Sequence, residues 1–364
     1  MTEKAERPET PEPEVRLERS GHLGHIILNR PRAINALTSA MVSLISAALD
    51  EWEHDDGVAT VLLSGAGERG LCAGGDIVAI YRDAGNGGTE SARFWAEEYA
   101  LNARISSYPK PYVALMDGIV LGGGVGVSAH ARHRVVTERT KVGMPETGIG
   151  FIPDVGGTYL LSRAPGELGT HAALTAGTMT GADALLLGLA DVFVHSSRLE
   201  DLAAALAQKP VDEALQDFGD RPPEAPLAAA RTWIDRCYAH EDVETIVDAL
   251  RSSESEDAKA AADVVLAKSP TALKVTLESL RRARELPDLA AVLAQEYRVS
   301  LRALAAPDFA EGVRAQVIDK DRSPQWQPAG LDGVRQADVQ AYFAPLEEVP
   351  ELWSAGSNAA GRKP

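Results

Sequence analysis

Cysteine is scarce in this sequence, and basic residues are outnumbered by acidic ones. The 364 residues include only Cys72 and Cys237, too few for a disulfide framework, so we expect a reducing compartment. The 36 Lys and Arg residues stand against 53 Asp and Glu residues, which gives a net charge of −17. Because a nucleic-acid-binding surface needs clustered Lys and Arg, this balance argues against a nucleic-acid partner.

Long hydrophobic runs are also lacking. The longest apolar stretch, residues 118–129, is too short to cross a bilayer and is rich in glycine. The first fourteen residues are rich in Pro and Glu and resemble neither a secretory signal nor a transit peptide. We therefore predict no membrane partner, a cytoplasmic location, and a disordered acidic tail over residues 1–14.

Several chemical motifs are missing. No GxxxxGK[ST] occurs, and residues 122–126 do not fit GxGxxG, which disfavours a nucleotide phosphate loop. No GxSxG is present, so a serine nucleophile elbow is not expected. The histidine pairs His22/His25 and His130/His133 have HxxH spacing but no third ligand. We therefore predict no metal site.

The remaining pattern predicts an α/β core followed by a helical region. Short apolar runs at 25–28, 58–64, 112–115 and 134–137 predict strands alternating with helices over residues 15–208, and Ser39 is a candidate helix cap. Residues alone leave open a doubly wound sheet or a stack of β-β-α units. Proline and acidic residues predict a linker over 209–226. A helical region, with Ser269 and Pro270 starting one helix, is expected over 227–353, and a frayed tail over 354–364.

Three glycine-bearing segments carry the strongest chemical signal: GLCAGGD at 70–76, GIVLGGGVG at 118–126, and MPETGIGFIPDVGG at 144–157. The first two each lie between a predicted strand and a helix-like stretch. Glycine lets the main chain approach a ligand closely, and two N–H groups at such turns can converge on one carbonyl oxygen as an oxyanion hole. Tight turns and close helix packing are the competing interpretation for any single run.

Taken together and in this order, the three segments resemble the crotonase (enoyl-CoA hydratase/isomerase) superfamily, with support from Asn29-Arg30-Pro31, Asn35-Ala36-Leu37 and Lys110-Pro111. The resemblance implies an α/β core of stacked β-β-α units beside a helical C-terminal region. It also implies an acyl-CoA substrate, of which CoA is a part, and no separate cofactor. By position, the N–H groups of Gly75 and Gly123 would form the oxyanion hole. Further residues implied around the substrate are Ala73, Gly74, Asp76, Glu98 and Gly122, with Arg30 and Arg32 as weaker candidates for CoA phosphates.

Departures from the hydratase pattern indicate a different reaction. Hydratases of the superfamily use two glutamates, of which the second matches Glu146 and the first would fall at Gly126. Asp154 adds a carboxylate where glycine is common. Two carboxylates in one apolar pocket push their pKa values apart, so that one can act as base and the other as acid. A helix N-cap is the competing role for Asp154, but the presence of Glu146 favours the site.

Further segments extend the resemblance to a thioester-hydrolase branch of the superfamily. They are Glu97-Glu98-Tyr99 with Leu101-Asn102 and, in the C-terminal half, Ser269-Pro270-Thr271, Glu296-Tyr297-Arg298 and Glu311-Gly312-Val313-Arg314. That branch implies hydrolysis of 3-hydroxyisobutyryl-CoA in valine breakdown, with Glu146 as base or nucleophile, Asp154 assisting, and Glu98 facing a substrate hydroxyl. The alternatives are an enoyl-CoA isomerase, a hydratase, or a non-catalytic acyl-CoA-binding scaffold. The resemblance is compatible with a homo-oligomer.

Overall fold

The structure is a computed structural model that describes residues 12–347 and 349–353. Its strands are β1 (Val15–Ser20), β2 (Leu23–Leu28), β3 (Thr60–Gly65), β4 (Tyr112–Met116), β5 (Ile119–Leu121), β6 (His133–Val136), β7 (Lys141–Gly143), β8 (Thr178–Thr180) and β9 (Val192–Phe193). The predicted tails lie wholly or largely outside the described residues.

Helices fill the connections and form the C-terminal half. They are α1 (Ser39–Glu53), α2 (Ile77–Ala84), α3 (Thr89–Ser106), α4 (Gly123–Ser128), α5 (Gly157–Ser162), α6 (Leu168–Thr175), α7 (Gly181–Leu187), α8 (Leu199–Leu206), α9 (Val211–Phe218), α10 (Pro226–Cys237), α11 (Val243–Arg251), α12 (Glu256–Leu266), α13 (Pro270–Glu285), α14 (Leu289–Ala305), α15 (Pro307–Val313) and α16 (Gln336–Ala341). Among the described residues, none of these helices is long and apolar enough to span a membrane.

From β4 to β7, successive strands alternate between two sheets. The larger sheet has the order β1-β2-β3-β4-β6-β9, and all its neighbours are parallel except β1 and β2. The smaller sheet has the order β5-β7-β8. Because β4 and β6 belong to the larger sheet while β5 and β7 belong to the smaller, each unit contributes one strand to each sheet before its helix. This confirms the stacked β-β-α architecture and settles the alternative that the sequence left open.

Parallel pairing brings the three glycine-bearing segments to one edge. Cys72 pairs in parallel with Val120 of β5, and β5 pairs in parallel with β7. The carboxyl ends of parallel neighbours lie at the same edge of a sheet. The chain therefore delivers Gly75, Gly123 and Glu146, each a few residues beyond its strand, to one place.

The helical C-terminal region packs over this edge. Helix α14 contacts both α3 and α5, and α13 contacts α5. The predicted start of α13 is confirmed: the Ser269 hydroxyl accepts a hydrogen bond from the Ala272 N–H at 3.0 Å, and Pro270 is the first helical residue.

Two local predictions are corrected. The segment predicted as a linker, 209–226, contains helix α9, whose Val211, Ala214 and Leu215 are buried against the larger sheet. Their spacing matches one helix face, although prolines and acidic residues surround it. The cap of α1 is Thr38 rather than Ser39, because the Thr38 hydroxyl accepts from the Met41 N–H at 3.1 Å.

Candidate active site

Two main-chain N–H groups converge where the first two glycine turns meet. A Cβ placed on Gly123 would lie 3.2 Å from the Gly75 nitrogen, and one placed on Gly74 would lie 3.9 Å from the Gly123 nitrogen. Gly74 has φ +113° and Gly122 has φ +48°, conformations that favour glycine. Within the described part of the chain, the N–H groups of Gly75 and Gly123 donate no hydrogen bond. Both are available to a ligand oxygen.

Glu146 lies beside this pair. It follows β7 and opens a short 3-10 helix, Glu146–Ile149. A Cβ placed on Gly122 would come within 2.8 Å of the Glu146 Oε1 atom, so glycine leaves the carboxyl its space. The side chain is 7% exposed, and its Oε2 atom has no hydrogen-bond partner. A buried carboxyl with an unpaired oxygen is ready to bind a substrate atom or a water molecule.

Asp154 is also buried, but it is held by α3. The Tyr99 hydroxyl donates to Asp154 Oδ2 at 2.7 Å and lies 2.9 Å from the Ser300 hydroxyl of α14. The alternative role as a side-chain helix cap is wrong. Helix α5 starts after Gly156, and the N–H groups of Gly156 and Thr158 donate to Glu296 at 2.6 and 2.9 Å. The Glu296 carboxyl therefore accepts the hydrogen bonds at the start of α5 that Asp154 was expected to accept. Asp154 is left free to face the site.

Glu98 and Asn102 line the facing side of α3. They are one turn apart, so their side chains share a helix face. The Glu98 Oε1 atom has no partner and lies 2.6 Å from where a Gly123 Cβ would stand. A Cβ on Gly126 would lie 2.9 Å from the Asn102 Nδ2 atom and 2.7 Å from the Val155 Cβ. Asn102 and Val155 thus fill the space next to position 126, where hydratases resembling this chain carry their first glutamate.

Val155 has an unusual backbone conformation, which a buried hydrogen bond stabilises. Its φ of +51° is rare for a β-branched residue. The buried His130 ring donates from Nε2 to the Val155 carbonyl at 2.8 Å, and burial lowers the pKa of His130 to about 4. The neutral imidazole therefore stabilises the turn that carries Asp154.

Burial dominates the electrostatics of the acids. Removal from water raises the pKa of Glu146 well above its usual range, and the nearby Asp154 raises it further. Burial likewise raises the pKa of Glu98 and brings that of Asp154 to about 7, against the lowering effect of the Tyr99 hydrogen bond. Asp154 can therefore hold or release a proton near neutral pH.

The two arginines predicted to contact the CoA phosphates do not lie among the residues around Gly75, Gly123 and Glu146. The Arg30 guanidinium lies 3.2 Å from Glu14 and 3.1 Å from Asp76, so its charge is already offset. Asp76 also accepts from the Ala79 N–H at 3.3 Å as the cap of α2. Arg32 is exposed, and Ala73 is part-buried with its N–H on the Ile34 carbonyl. The phosphate role of the two arginines remains a prediction.

A cavity of about 220 Å³ lies next to Gly75. Its apolar wall includes Leu37, Ile80 and Phe94, and a Cβ on Gly75 would touch the Phe94 ring at 3.4 Å. Leu37 also approaches the Gly123 Cβ position, at 3.2 Å. Leu37 and Phe94 thus belong both to the wall of this cavity and to the surroundings of the two glycines.

No group of three His, Cys, Asp or Glu side chains gathers as metal ligands in the described ranges. The site offers two main-chain N–H groups that donate no hydrogen bond to the described residues, next to buried carboxyls. This arrangement defines an enzyme that acts next to a polarised carbonyl group.

The chain belongs to the enoyl-CoA hydratase/isomerase family, whose model matches residues 23–343. The predicted resemblance is confirmed. A relative from Danio rerio, 3-hydroxyisobutyryl-CoA hydrolase, mitochondrial, is 41% identical over 346 residues, covering 92% of this chain and 90% of that protein. The protein of the same name from Homo sapiens is 40% identical over 344 residues, covering 92% and 89%.

Solved structures agree on the fold and carry other names. The crystal structure of a carnitinyl-CoA dehydratase from Mycobacterium thermoresistibile is 54% identical, with TM-score 0.91, and covers 94% of this chain and 98% of its own. That of an enoyl-CoA hydratase from Rhodobacter sphaeroides 2.4.1 is 41% identical, with TM-score 0.87, covering 92% and 98%.

Proposed function

We propose that this protein hydrolyses 3-hydroxyisobutyryl-CoA to 3-hydroxyisobutyrate and CoA. The observation that carries the proposal is the unpaired carboxyl of Glu146 beside the N–H groups of Gly75 and Gly123, combined with the glycine at position 126. The names of the relatives from Danio rerio and Homo sapiens support the choice of acyl group.

The thioester oxygen accepts hydrogen bonds from Gly75 and Gly123, which stabilise the negative charge that develops on it. Glu146, whose pKa is raised by burial, first loses its proton and then acts in one of two ways. As a general base it takes a proton from water, whose oxygen attacks the carbonyl carbon. As a nucleophile it forms an acyl-glutamyl anhydride that water cleaves. In both routes the C–S bond breaks. Single turnover in ¹⁸O-labelled water separates them, since only the anhydride route can place label in Glu146.

Asp154 supplies the proton that the leaving thiolate requires. Its pKa of about 7, raised by burial, lets it hold that proton at neutral pH. The Tyr99 hydroxyl fixes the carboxyl through Oδ2. Glu98, with one oxygen unpaired beside the Gly123 turn, faces the hydroxyl group of the acyl chain.

A hydratase or dehydratase is the second candidate, because relatives of 54% and 41% identity bear those names. Such chemistry in this superfamily uses a second glutamate, and here Asn102 and Val155 crowd the space at Gly126. A double-bond isomerase remains a weaker alternative, since one acid at Glu146 suffices for it. A non-catalytic scaffold has no need of the free Glu146 carboxyl.

Two assays on the purified protein separate these functions. Thiol release from 3-hydroxyisobutyryl-CoA is followed with a chromogenic disulfide, and double-bond chemistry by the ultraviolet absorbance of a conjugated enoyl thioester. We expect rapid thiol release and little change in enoyl absorbance. Rapid hydration or isomerisation without thiol release would overturn the proposal. Activity in neither assay would favour the non-catalytic scaffold.

We further propose a role in valine breakdown, because this thioester carries a branched hydroxylated acyl group. The cytoplasmic location stays our prediction, although the relatives from Danio rerio and Homo sapiens are named as mitochondrial. Growth of a deletion strain on valine as the carbon source tests the first point, and cell fractionation tests the second.

A further inference from the structure

Asn102 is a buried amide that satisfies none of its hydrogen bonds. The residue is 0% exposed, and neither its Nδ2 nor its Oδ1 atom has a partner. An amide side chain offers two donors and one acceptor oxygen, and leaving such groups unpaired inside a protein is unfavourable. We therefore expect a polar group of the ligand to supply the missing hydrogen-bond partners of this amide.

The amide lies beside the proposed acyl site. Glu98 and Asn102 are four residues apart on α3, while Gly123 and Gly126 are three apart on α4, so the two polar residues face the two glycines. The Glu98 Oε1 atom is 2.6 Å from the Gly123 Cβ position, and the Asn102 Nδ2 atom is 2.9 Å from the Gly126 Cβ position. The two glycines therefore make room for the Glu98 and Asn102 side chains against α4.

The two side chains are chemically complementary to a hydroxyl group. A hydroxyl both donates and accepts a hydrogen bond. The Glu98 carboxyl oxygen can accept the hydroxyl proton, and the Asn102 Nδ2 group can donate to the hydroxyl oxygen. Val155 packs beside the Asn102 amide, with its Cβ 2.7 Å from the Gly126 Cβ position. An acyl chain without a hydroxyl leaves both polar groups unpaired.

We propose that Asn102 is a specificity-determining residue, which together with Glu98 binds the hydroxyl group of the acyl chain and so selects hydroxylated acyl-CoA substrates. This inference rests on the proposed hydrolase function and gives a role to a residue that the resemblance included without one. A site that pairs a substrate hydroxyl discriminates strongly against the analogue that lacks it, because its own polar groups then stay unpaired.

The test compares kcat/KM for 3-hydroxyisobutyryl-CoA and isobutyryl-CoA, which differ only in the hydroxyl. Asn102→Leu keeps the approximate volume and removes the amide. We expect kcat/KM for the hydroxylated thioester to fall by about 30-fold or more, and that for isobutyryl-CoA to change by less than about threefold. The thermal midpoint should stay level or rise, because an unpaired polar group is removed.

Thr276→Val is the matched control. Thr276 is equally buried and its hydroxyl is also unpartnered, but it lies on α13. This variant should keep the parent's substrate ratio. If Asn102→Leu does not fold, Asn102→Ser tests the same ratio with a smaller side chain.

Equal losses for both substrates in the Asn102 variants, or no loss for either, would overturn the inference. A parent protein that releases no thiol from the hydroxylated substrate contradicts the proposed function instead. The two failures are therefore distinguishable.

Discussion

Glu98 and Glu146 at the site differ from Glu296 behind it, although all three carboxyls are buried. Glu296, at 0% exposure, accepts hydrogen bonds from the Gly156 N–H, the Thr158 N–H and the Thr158 hydroxyl, at 2.6, 2.9 and 2.5 Å. Glu98 and Glu146 each keep an oxygen without a partner. The glycines opposite these two residues leave the space around them open.

This difference shows what marks a reactive acid in this fold. Burial raises the pKa of Glu296 to about 8 and also raises the pKa values of Glu98 and Glu146. A perturbed pKa is therefore common to the structural and the functional carboxyls. Unused hydrogen-bonding capacity beside the two glycine N–H groups distinguishes the functional ones.

Among substitutions that leave every carboxyl in place, filling the space beside Glu98 should have the largest effect. In Gly123→Ala, the new Cβ would stand 2.6 Å from Glu98 Oε1 and 3.2 Å from the Gly75 nitrogen. Displacing one donor of an oxyanion hole lowers kcat by about 10²–10³, and we expect a loss in this range in the thiol-release assay. Gly85→Ala is the control, since its Cβ meets only the Arg82 carbonyl at 3.6 Å. Parent-like kcat in Gly123→Ala would contradict the assigned hole.

Removing the structural acid should lower stability. In Glu296→Gln, an amide NH2 replaces one carboxylate oxygen and faces N–H donors of Gly156 or Thr158, which leaves buried donors unpaired. We expect the free energy of unfolding to fall by about 2–3 kcal/mol in denaturant titrations. Glu146→Gln is the matched control and should unfold like the parent, because its Oε2 atom has no partner to lose. Equal destabilisation of both variants would contradict the claim that Glu296 stabilises the fold through its hydrogen bonds and Glu146 does not.

Asp154 is intermediate, with one oxygen held by Tyr99, and its effect should appear in the pH dependence of stability. The folded protein holds its proton up to a pKa of about 7, against 3.8 for an ordinary aspartate. Its contribution is thus present at low pH and is lost as pH rises through 7. Between pH 5 and pH 7 we expect it to lower the free energy of unfolding by roughly 2 kcal/mol.

Asp154→Asn should make that slope shallower when unfolding is measured across this pH range, without abolishing it, because Glu98, Glu146 and Glu296 also have raised pKa values. The same substitution at the exposed Asp56 should keep the parent's curve. A slope in Asp154→Asn as steep as the parent's would mean that Asp154 contributes nothing to it.

Local patterns predicted much of this arrangement. Apolar runs located β2, β3, β4 and β6, and the family resemblance that the glycine segments carry implied Gly75, Gly123, Glu146 and Asp154. These four residues lie close together because successive β-β-α units pair in parallel. The spacing of the motifs along the chain follows from the repeat of these units.

Long-range contacts were beyond such patterns. Tyr99 contacts Ser300 across 201 residues of sequence, and Glu296 contacts Gly156 across 140. The resemblance had included Glu296 without a role, and Asp154 stood where a cap was plausible. The resemblance had also included Asn102 without a role, because only the structure shows that both polar atoms of its buried amide lack hydrogen-bond partners among the described residues.

The most direct test of the central claim is CoA release by Glu146→Gln, measured with 3-hydroxyisobutyryl-CoA. The account predicts a loss of at least about 10³ in kcat, since the amide can act neither as base nor as carboxylate nucleophile. Binding of the thioester, measured by calorimetry on the same variant, should survive because the glycine N–H groups are untouched. Release of CoA at the parent rate would contradict the account.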